Sequence, residues 1–503
     1  MARHRRRDAA RAHGPAGNHA ARGGDVGARL HRLSRFTRCA GRVGRFVTVA
    51  ARQPPAEEAR SVHSTRRNRV ACGVDVGSTN VKVVLLAPDG EVVARVGRLT
   101  PRDAQGLCIE GATLLSTVES MMAEACADRF EVHAVCVAGM GEDGMLVDER
   151  LVPLTPALAW FDPRRQGVLH SLRPDLPADE TFDTVEDAAR TLAGWAWARR
   201  QIGVRRAHSW LAVADFPSAH WTKRPFLSDT LASRTGAWRA WDRAWATERV
   251  APTLGEFSLL PPVLAAGDVV GSFDHAFLLA PDAVARDAIV VVGGHDHPVG
   301  GWGVEQMAPG AVLDSMGTAE VVVAQRPEPP ALRDSTVDVD LAPGIQSAGT
   351  TLLRVEELSR NVAWASQDPE VAAAIQEILA GHTAPAGSLD SAYFLPGTRG
   401  GGSPSYVLDA PRNPRARATA VLGALAHLGR DAVDAVSRGS AAHSGVRLAG
   451  GWARSQGWVA IKESVNGYRT ERVGELEVTA VGAAMLAATA RGWDPDPAIA
   501  LGA

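Results

Sequence analysis

Residues 70–86, VACGVDVGSTNVKVVLL, decide the fold of this chain. They contain two apolar, β-prone runs, 70–76 and 81–87, which the turn Gly77-Ser78-Thr79-Asn80 separates. Asp89-Gly90 is a hairpin-turn dipeptide, and a third β-prone run follows it. Three strands joined by two tight turns predict an antiparallel meander.

The same plan recurs at residues 311–323, AVLDSMGTAEVVV, where a strand ends in Asp314. A small-residue turn with Gly317 and Thr318 and a Val-rich strand follow it, as they follow Asp75. The two aspartates are 314 − 75 = 239 positions apart. A unit that recurs at such a distance predicts two related α/β domains, each opening with a β-turn-β phosphate loop.

Between and after these units the apolar spacing predicts further elements. They are helices at 111–128, 194–206 and 478–491 and strands at 132–138, 145–148 and 288–292. The small-residue run Gly482-Ala483-Ala484 favours close backbone packing of the last helix.

Length and composition fit a globular chain of two domains, since 503 residues exceed one ordinary core. The net charge of −2 gives no general attraction to nucleic acid or to anionic membranes. Five scattered cysteines without a C-x-x-C pair suit a reducing cytosol. Because no run of 18 apolar residues occurs, a membrane span is not expected, and we predict a cytoplasmic protein.

Residues 1–69 differ from the rest because they are rich in Arg, Ala and Gly and poor in carboxylates. One interpretation is a basic arm for nucleic acid or a transit peptide. The other is a disordered extension, or a start codon placed too far upstream. We predict a disordered Arg-rich extension, and deletion of this segment would separate the two interpretations.

The turn after Asp75 has the composition of a phosphate-binding loop. Glycine permits close backbone approach, and exposed N–H groups with the Ser78 and Thr79 hydroxyls can hold phosphate oxygens. Asp75 could hold Mg²⁺ through water. The Walker pattern G-x-x-x-x-G-K-[ST] is absent, and an ordinary Gly-Ser hairpin turn is the alternative.

Residues 139–144, GMGEDG, match the G-x-G-x-x-G pattern of dinucleotide-binding loops. However, a short apolar strand follows the loop instead of a helix, and Glu142 and Asp143 would repel a pyrophosphate. We therefore reject a Rossmann site. Hydrogen bonding of the acids to sugar hydroxyls is the functional interpretation, and a solvated surface loop is the alternative.

Residues 293–298, GGHDHP, follow a buried strand and place Asp296 where it could act as a general base toward a hydroxyl. The flanking His295 and His297 also suggest a metal site. We expect the two imidazoles on opposite sides of an extended chain, which argues against shared metal ligation. A hydrolase relay lacks its G-x-S-x-G elbow.

From residue 70 to the C-terminus the chain resembles the FGGY family of carbohydrate kinases, of the actin, hexokinase and Hsp70 superfamily. The resemblance rests on eight ordered motifs: residues 75–82, 141–148, 160–164, 228–235, 294–297, 314–318, 394–396 and 450–455. It implies an α/β fold of two ribonuclease-H-like (actin-like ATPase) domains flanking an interdomain cleft, with boundaries at 70–308 and 309–503.

The resemblance also implies a set of site residues. Asp296 would be the general base, and Asp75 would lie near the metal. The acceptor sugar would meet Gly141, Glu142, Trp160, Asp162, Arg164 and Asp296. ATP would meet Asp75, Gly77, Ser78, Thr79, Lys82, Gly317, Thr318, Gly450, Gly451 and Ser455. Glu142 stands where xylulose-type kinases usually carry His.

The resemblance thus implies an ATP- and Mg²⁺-dependent kinase acting on a small-molecule ketose, aldonate or polyol, without nucleic-acid or membrane partners. The resemblance does not decide whether the protein forms a homodimer. The alternative is a catalytically silent sugar-sensing protein on the same scaffold, although such a sensor would not require the base Asp296.

Overall fold

The computed structural model describes residues 67–502 except 178–186, 203–206, 275–280, 332–338, 390–391, 398–401 and 440–443. The prediction of a disordered extension over residues 1–69 lies outside these ranges up to residue 66, but Asn68 and Arg69 belong to the first strand, so ordered structure begins earlier than predicted. The end of the predicted helix at 194–206 also lies outside these ranges. We call residues 67–308 the N-terminal part and residues 309–502 the C-terminal part.

The strands of the described residues are, in chain order, β1 (Asn68–Val76), β2 (Asn80–Leu86), β3 (Val92–Leu99), β4 (Cys108–Ile109), β5 (Phe130–Gly139), β6 (Gly144–Val147), β7 (Ala157–Leu158), β8 (Ser209–Ala212), β9 (Leu227–Ser228), β10 (Trp238–Arg239), β11 (Ala244–Trp245), β12 (Val263–Leu264), β13 (Val269–Ser272), β14 (Val284–His295), β15 (Val312–Met316), β16 (Ala319–Arg326), β17 (Asp340–Pro343), β18 (Thr350–Glu357), β19 (Phe394–Leu395), β20 (Ser405–Tyr406), β21 (Val446–Ala449) and β22 (Thr470–Arg472).

The α-helices are α1 (Gly111–Cys126), α2 (Arg164–Leu172), α3 (Thr191–Ile202), α4 (Phe216–Thr222), α5 (Asp229–Ala232), α6 (Thr247–Thr253), α7 (Asp296–Met307), α8 (Ser359–Ala365), α9 (Pro369–Leu379), α10 (Pro414–Val436), α11 (Gln456–Asn466), α12 (Val478–Ala490) and α13 (Pro497–Leu501).

The N-terminal part is built on a six-stranded sheet with the order β13-β14-β5-β1-β2-β3. The strands β1, β2 and β3 pair antiparallel, so the predicted meander is confirmed. β5 lies parallel to β1 on its other side, and β14 lies parallel to β5. The apolar residues of β1 and β5 are buried because helices cover the sheet.

The C-terminal part shares the central strand arrangement of this sheet and has the order β17-β18-β16-β15-β21-β22. Here β15 pairs antiparallel with β16 and parallel with β21, and β22 lies parallel to β21. In both sheets a β-turn-β unit is thus followed, on the far side of its first strand, by two parallel strands. The predicted repeat of a β-turn-β unit is confirmed at the level of strand pairing, although Asp314 lies one residue further from its turn than Asp75 does.

Helices α7 and α12 connect the two parts. α7 packs on β15, β16 and α12, whereas α12, from the C-terminal part, packs on β1, β2 and β5. Glycine permits this contact, because a Cβ on Gly73 of β1 would lie 1.9 Å from the backbone oxygen of Ala480. A Cβ on Gly482 would likewise lie 2.7 Å from the oxygen of Val299 in α7. The predicted close packing of the last helix is confirmed.

The loop 139–144 runs into strand β6, and no helix follows it. The prediction that a strand and not a helix follows this loop, on which we rejected a Rossmann site, is therefore confirmed. Among the described residues, no helix combines the length and apolarity needed to traverse a bilayer.

Candidate active site

Asp296 lies at the junction between strand β14, which ends at His295, and helix α7, of which it is the first residue. Its Oδ1 accepts a hydrogen bond of 2.8 Å from the backbone N–H of His297. The side chain retains 20% exposure, so the carboxyl group is reachable from solvent. Burial raises the pKa of Asp296 to about 7, and the negative charge of Glu142 contributes in the same direction.

The two histidines beside Asp296 do not lie on opposite sides of the chain, so that expectation was wrong. The backbone is not extended there, because α7 begins at Asp296 and the chain turns into the helix. The Nε2 atoms of His295 and His297 lie 3.2 Å and 3.6 Å from Asp296 Oδ1. Burial lowers the pKa of both imidazoles, that of His297 to about 4, so both are neutral at pH 7.

Asp75 is the penultimate residue of β1 and pairs in register with Lys82 of β2. Its Oδ2 lies 3.1 Å from Lys82 Nζ, which is also 3.0 Å from Glu477 Oε2 at the start of α12. The other oxygen, Oδ1, is buried and has no hydrogen-bond partner. Burial raises the pKa of Asp75 despite Lys82, and the nearby charge of Asp296 raises it further.

The first turn is fixed through its carbonyl groups. Thr100 Oγ1 donates a 2.6 Å hydrogen bond to the Gly77 oxygen, and Arg102 Nη2 donates one of 3.1 Å to the Ser78 oxygen. Thr79 is exposed. The carbonyl oxygens of Gly77 and Ser78 are thus engaged by protein donors.

The loop after β5 holds Glu142 in a buried ion pair with Arg234. Arg234 Nε donates a 2.8 Å hydrogen bond to Glu142 Oε1, and the arginine packs against Gly141. The neighbouring Asp143 is fully buried, 3.5 Å from Arg165. Burial raises the pKa of Asp143 to about 7 despite Arg165 and Arg102. The loop is thus not a solvated surface loop.

Trp160, Asp162 and Arg164 lie in the segment directly before Arg165, whose Nη2 donates a hydrogen bond of 3.1 Å to the backbone oxygen of Glu142 in this loop. The Asp162 carboxylate accepts from the backbone N–H of Arg164 at 2.8 Å and from its Nε at 3.0 Å. The Trp160 and Phe161 rings meet edge to face at 5.4 Å. Asp162 therefore orders the start of α2 and holds the Arg164 side chain.

The second turn, which contains Gly317 and Thr318, is stabilised by different contacts from those of the first turn. Gly317 and Thr318 are exposed, and Gly317 N–H donates to the Ala319 oxygen at 2.9 Å. The preceding Asp314 is fully buried, 2.8 Å from Lys462 Nζ, and the same lysine pairs with Glu320. The buried ion pair of Asp314 with Lys462 therefore stabilises the strand that leads into this turn.

Gly450 lies directly against this turn. Its φ is +85°, and a Cβ there would lie 2.3 Å from the Met316 oxygen. Gly451 is exposed with open space around it. The structure thus brings Gly317, Gly450 and Gly451 together. The Ser455 hydroxyl caps α11 by accepting from Trp458 N–H at 3.1 Å and donates to the Leu379 oxygen at 2.6 Å.

Sequence reasoning missed several residues of this region. Arg102 links the first turn to Asp143, which lies 3.9 Å from its Nη2, and its guanidinium lies 5.0 Å from the Phe161 ring centre. Glu477 and Asp340 come from distant segments and pair with Lys82 and Arg234. The sequence holds no signal for such pairs, because partners far apart in the chain share no local pattern.

Known kinase sequences resemble this chain. Residues 70–303 match the N-terminal domain of the FGGY family of carbohydrate kinases. The L-fuculokinase of Escherichia coli K12 is 25% identical over 330 residues, covering 60% of this chain and 68% of that protein. A xylulose kinase of Streptomyces coelicolor is 26% identical over 287 residues, covering 53% of this chain and 57% of that protein.

Solved structures extend the likeness to both parts of the chain. The xylulose kinase of Rhodospirillum rubrum superposes with a TM-score of 0.73 at 21% identity, covering 86% of this chain and 92% of that one. A Plasmodium falciparum glycerol kinase with ADP gives 0.72 at 16% identity over the same shares. The predicted fold of two ribonuclease-H-like, actin-like ATPase domains flanking a cleft is thereby confirmed. Residues 70–303 are thus similar to the N-terminal domain of the FGGY family of carbohydrate kinases, and both parts of the chain share the fold of kinases of known structure.

Proposed function

We propose that this chain transfers the γ-phosphate of ATP to a hydroxyl group of a ketose, an aldonate or a polyol, with Asp296 as the general base. The observation that carries the proposal is the placement of Asp296. Its carboxyl group is largely buried, retains solvent access and is held by a backbone N–H at the start of α7. A base with a pKa of about 7 is well matched to proton abstraction near neutral pH.

The acceptor would lie between Asp296 and the loop of Gly141 and Glu142. Glu142 is held by Arg234, so its carboxylate is oriented before a substrate arrives. Trp160, Asp162 and Arg164 would complete this side. Fuculokinase, xylulose kinase and gluconokinase are the names of relatives of this chain, which is why ketoses and aldonates come first as candidate acceptors.

The nucleotide would meet both turns. In this proposal Asp75, Gly77, Ser78, Thr79 and Lys82 face the phosphates from the domain of residues 70–308. The domain of residues 309–503 would contribute Gly317 and Thr318 to the phosphates and Gly450, Gly451 and Ser455 to the adenosine side. The Ser455 hydroxyl is already engaged in a helix cap, so its part would be to place the start of α11.

The residues present fit a magnesium ion. The partnerless, buried Oδ1 of Asp75 supplies one carboxylate oxygen, and Mg²⁺ takes few carboxylates and retains several waters. A Mg²⁺ ion held there, directly or through water, would neutralise phosphate charge.

The chemical step needs little covalent help from the protein. The acceptor hydroxyl gives its proton to Asp296 while its oxygen bonds to the γ-phosphorus. The bond from that phosphorus to the β,γ-bridging oxygen breaks, and ADP leaves with the electron pair. The products are a phosphate ester, ADP and, once Asp296 releases it, one proton. Positioning of the acceptor and the phosphate supplies most of the rate.

A panel of ketoses, polyols and aldonates, assayed for ADP release with ATP and Mg²⁺, tests this proposal. At least one member should stimulate ADP release strongly above the rate without carbohydrate. If none does so and ATP does not bind, the kinase proposal is wrong. Calorimetric sugar binding without turnover would favour the silent sensor instead.

A further inference from the structure

The two parts of the chain meet at a buried cluster of charges beside Glu142. Arg234, which follows α5 in the N-terminal part, is 4% exposed. One edge of its guanidinium group binds Glu142, and its Nη1 donates to Oδ2 of Asp340. Asp340 is the first residue of β17, the edge strand of the second sheet. A single arginine thus joins the Glu142 loop to the C-terminal part.

Asp340 uses both carboxylate oxygens on the N-terminal part. Its Oδ1 accepts from Nη2 of Arg190, which lies 3.8 Å from Asp187. The Asp340 side chain is 16% exposed, and those of Arg190 and Arg234 are 14% and 5% exposed. Because these charges are largely withdrawn from water, loss of one partner leaves the others poorly compensated.

The hairpin of β17 and β18 also contacts the N-terminal part at its turn. The backbone N–H of Gln346 donates to the Ala266 oxygen at 3.3 Å. The Gln346 side chain packs so closely on Gly267 that a Cβ there would lie 2.4 Å from its Cγ. Two separate contacts therefore hold this hairpin against the N-terminal part.

We propose that Asp340 is a positioning residue that makes the orientation of Glu142 depend on contact between the two parts. With the hairpin in place, Asp340 fixes Arg234, and Arg234 fixes Glu142 and packs against Gly141. When the hairpin withdraws, Arg234 loses one of its two carboxylate partners, and Glu142 loses a fixed partner. The inference deepens the proposed function, since it rests on this loop binding the acceptor.

The proposed role of Asp340 affects whether the γ-phosphate is transferred to a sugar or to water. A loop that is ordered only when the parts are in contact binds the acceptor where the phosphate is already shielded from solvent. Disruption of the Asp340 contacts should weaken acceptor binding and let water compete for the γ-phosphate. Nucleotide binding in the absence of sugar should change little, because Asp340 contacts neither turn.

Asp340→Asn tests the inference, since it removes the charge and keeps the shape. We expect the KM for the sugar to rise about tenfold, as for the loss of one charge-assisted hydrogen bond. ATP hydrolysis without sugar should rise relative to sugar phosphorylation, and the ADP affinity measured by calorimetry should stay within about twofold. Arg190→Gln, which disturbs Asp340 without touching Glu142, should shift the KM in the same direction.

Asp287→Asn is the matched control. It removes another ion pair between the parts, with Arg491, at the end of β14 opposite to Asp296. It should leave the sugar KM unchanged, and Asp340→Glu should recover part of the loss. Circular dichroism and thermal melting separate misfolding from repositioning. X-ray scattering should show a larger radius of gyration for ligand-free Asp340→Asn than for Asp287→Asn.

One result would contradict the inference about Asp340, and another would contradict the proposed function on which it rests. If the wild-type chain phosphorylates a sugar and Asp340→Asn matches Asp287→Asn in sugar KM, hydrolysis ratio and radius of gyration, the inference about Asp340 is wrong. If the wild-type chain phosphorylates nothing in the panel, the proposed function fails first. In that case unequal radii of gyration would still support the contact between the parts.

Discussion

Asp75 and Asp314 both precede a turn, but their registers and surroundings differ. Asp75 lies one residue before Val76, which pairs next to the first turn, and Asp314 lies two residues before Met316, which pairs next to the second turn. Asp75 shares Lys82 with Glu477 and lies close enough to Asp296 for the two charges to interact. Asp314 is sealed beneath the second turn with Lys462 and Glu320. In our proposal Asp75 therefore takes part in the chemistry, whereas Asp314 supports the second turn. The sequence predicted the duplication, but it could not predict this division, because Lys462 comes from a distant helix.

The first prediction concerns the protonation of Asp296. Because burial raises its pKa to about 7, the carboxyl group is increasingly protonated, and unable to accept a proton, as the pH falls below that value. We expect kcat/KM to fall about tenfold per pH unit on the acid side of this pKa. The charged or titratable groups that interact with it include Asp75, Glu142, Lys82, Arg234, His295 and His297. A profile of initial rates from pH 5 to 9 measures the effect.

Asp296→Asn provides the matching test at the same residue. Loss of a general base should lower kcat by about 10² to 10⁴-fold. The residual activity should no longer show the acid limb. A variant that keeps more than a tenth of the activity, or a wild-type profile that is flat below pH 7, would contradict the assignment.

At the scale of elements, the β-turn-β units and the small-residue helix α12 could be predicted from local patterns, since strand alternation and turn dipeptides lie within a few residues. The hairpin of β17 and β18 and its ion pairs could not. Arg234 lies 92 positions from Glu142 and 106 from Asp340, and Arg190 lies 150 from Asp340. The assignment of His295 and His297 to opposite faces failed for a local reason, namely that a helix begins between them.

Gly450 and Gly451 offer a matched pair for the second turn. Gly450 has φ +85° and ψ −179°, a conformation that side chains disfavour, and its Cβ would meet the Met316 oxygen at 2.3 Å. Gly450→Ala should displace the backbone before Gly317 and weaken ADP binding by about tenfold or more. Gly451→Ala, which has open space, should bind ADP nearly as the wild-type chain does. Equal affinities of the two variants, measured by calorimetry, would argue against Gly450 as the support of a nucleotide site.

The buried ion triad under the second turn predicts a stability effect. Lys462→Met leaves Asp314 and Glu320 buried without their cation, which should cost about 3–5 kcal/mol in the free energy of unfolding. Lys223→Met, at the partly exposed C-terminal end of α4, is the control and should cost about 1 kcal/mol or less. Urea denaturation of both variants measures the difference.

The stability loss caused by Lys462→Met should depend on pH in one direction. Burial and Asp314 already raise the pKa of Glu320 to about 8, and removal of Lys462 removes the opposing influence. The folded variant would then bind more protons than its unfolded chain, so its stability should fall as the pH rises from 5 to 8. A loss that is independent of pH would indicate lost packing instead of uncompensated charge.

On the scale of the whole molecule, two six-stranded sheets with the same central strand arrangement are joined through α7 and α12 and through the hairpin of β17 and β18. Asp296 stands at the first residue of α7, and the Thr479 hydroxyl of α12 donates to its backbone oxygen at 3.3 Å. The proposed base is therefore placed by elements from both parts. An enzyme arranged in this way would lose activity when contact between the parts is loosened, even with each turn intact.

The central claim is transfer of phosphate to a carbohydrate in preference to water, and ³¹P NMR of the reaction tests it most directly. With ATP, Mg²⁺ and the carbohydrate that most stimulates ADP release, a phosphate monoester signal should grow in equal amount with ADP while inorganic phosphate stays near its starting level. Formation of ADP with inorganic phosphate alone, or no change in ATP with any carbohydrate, would contradict the account.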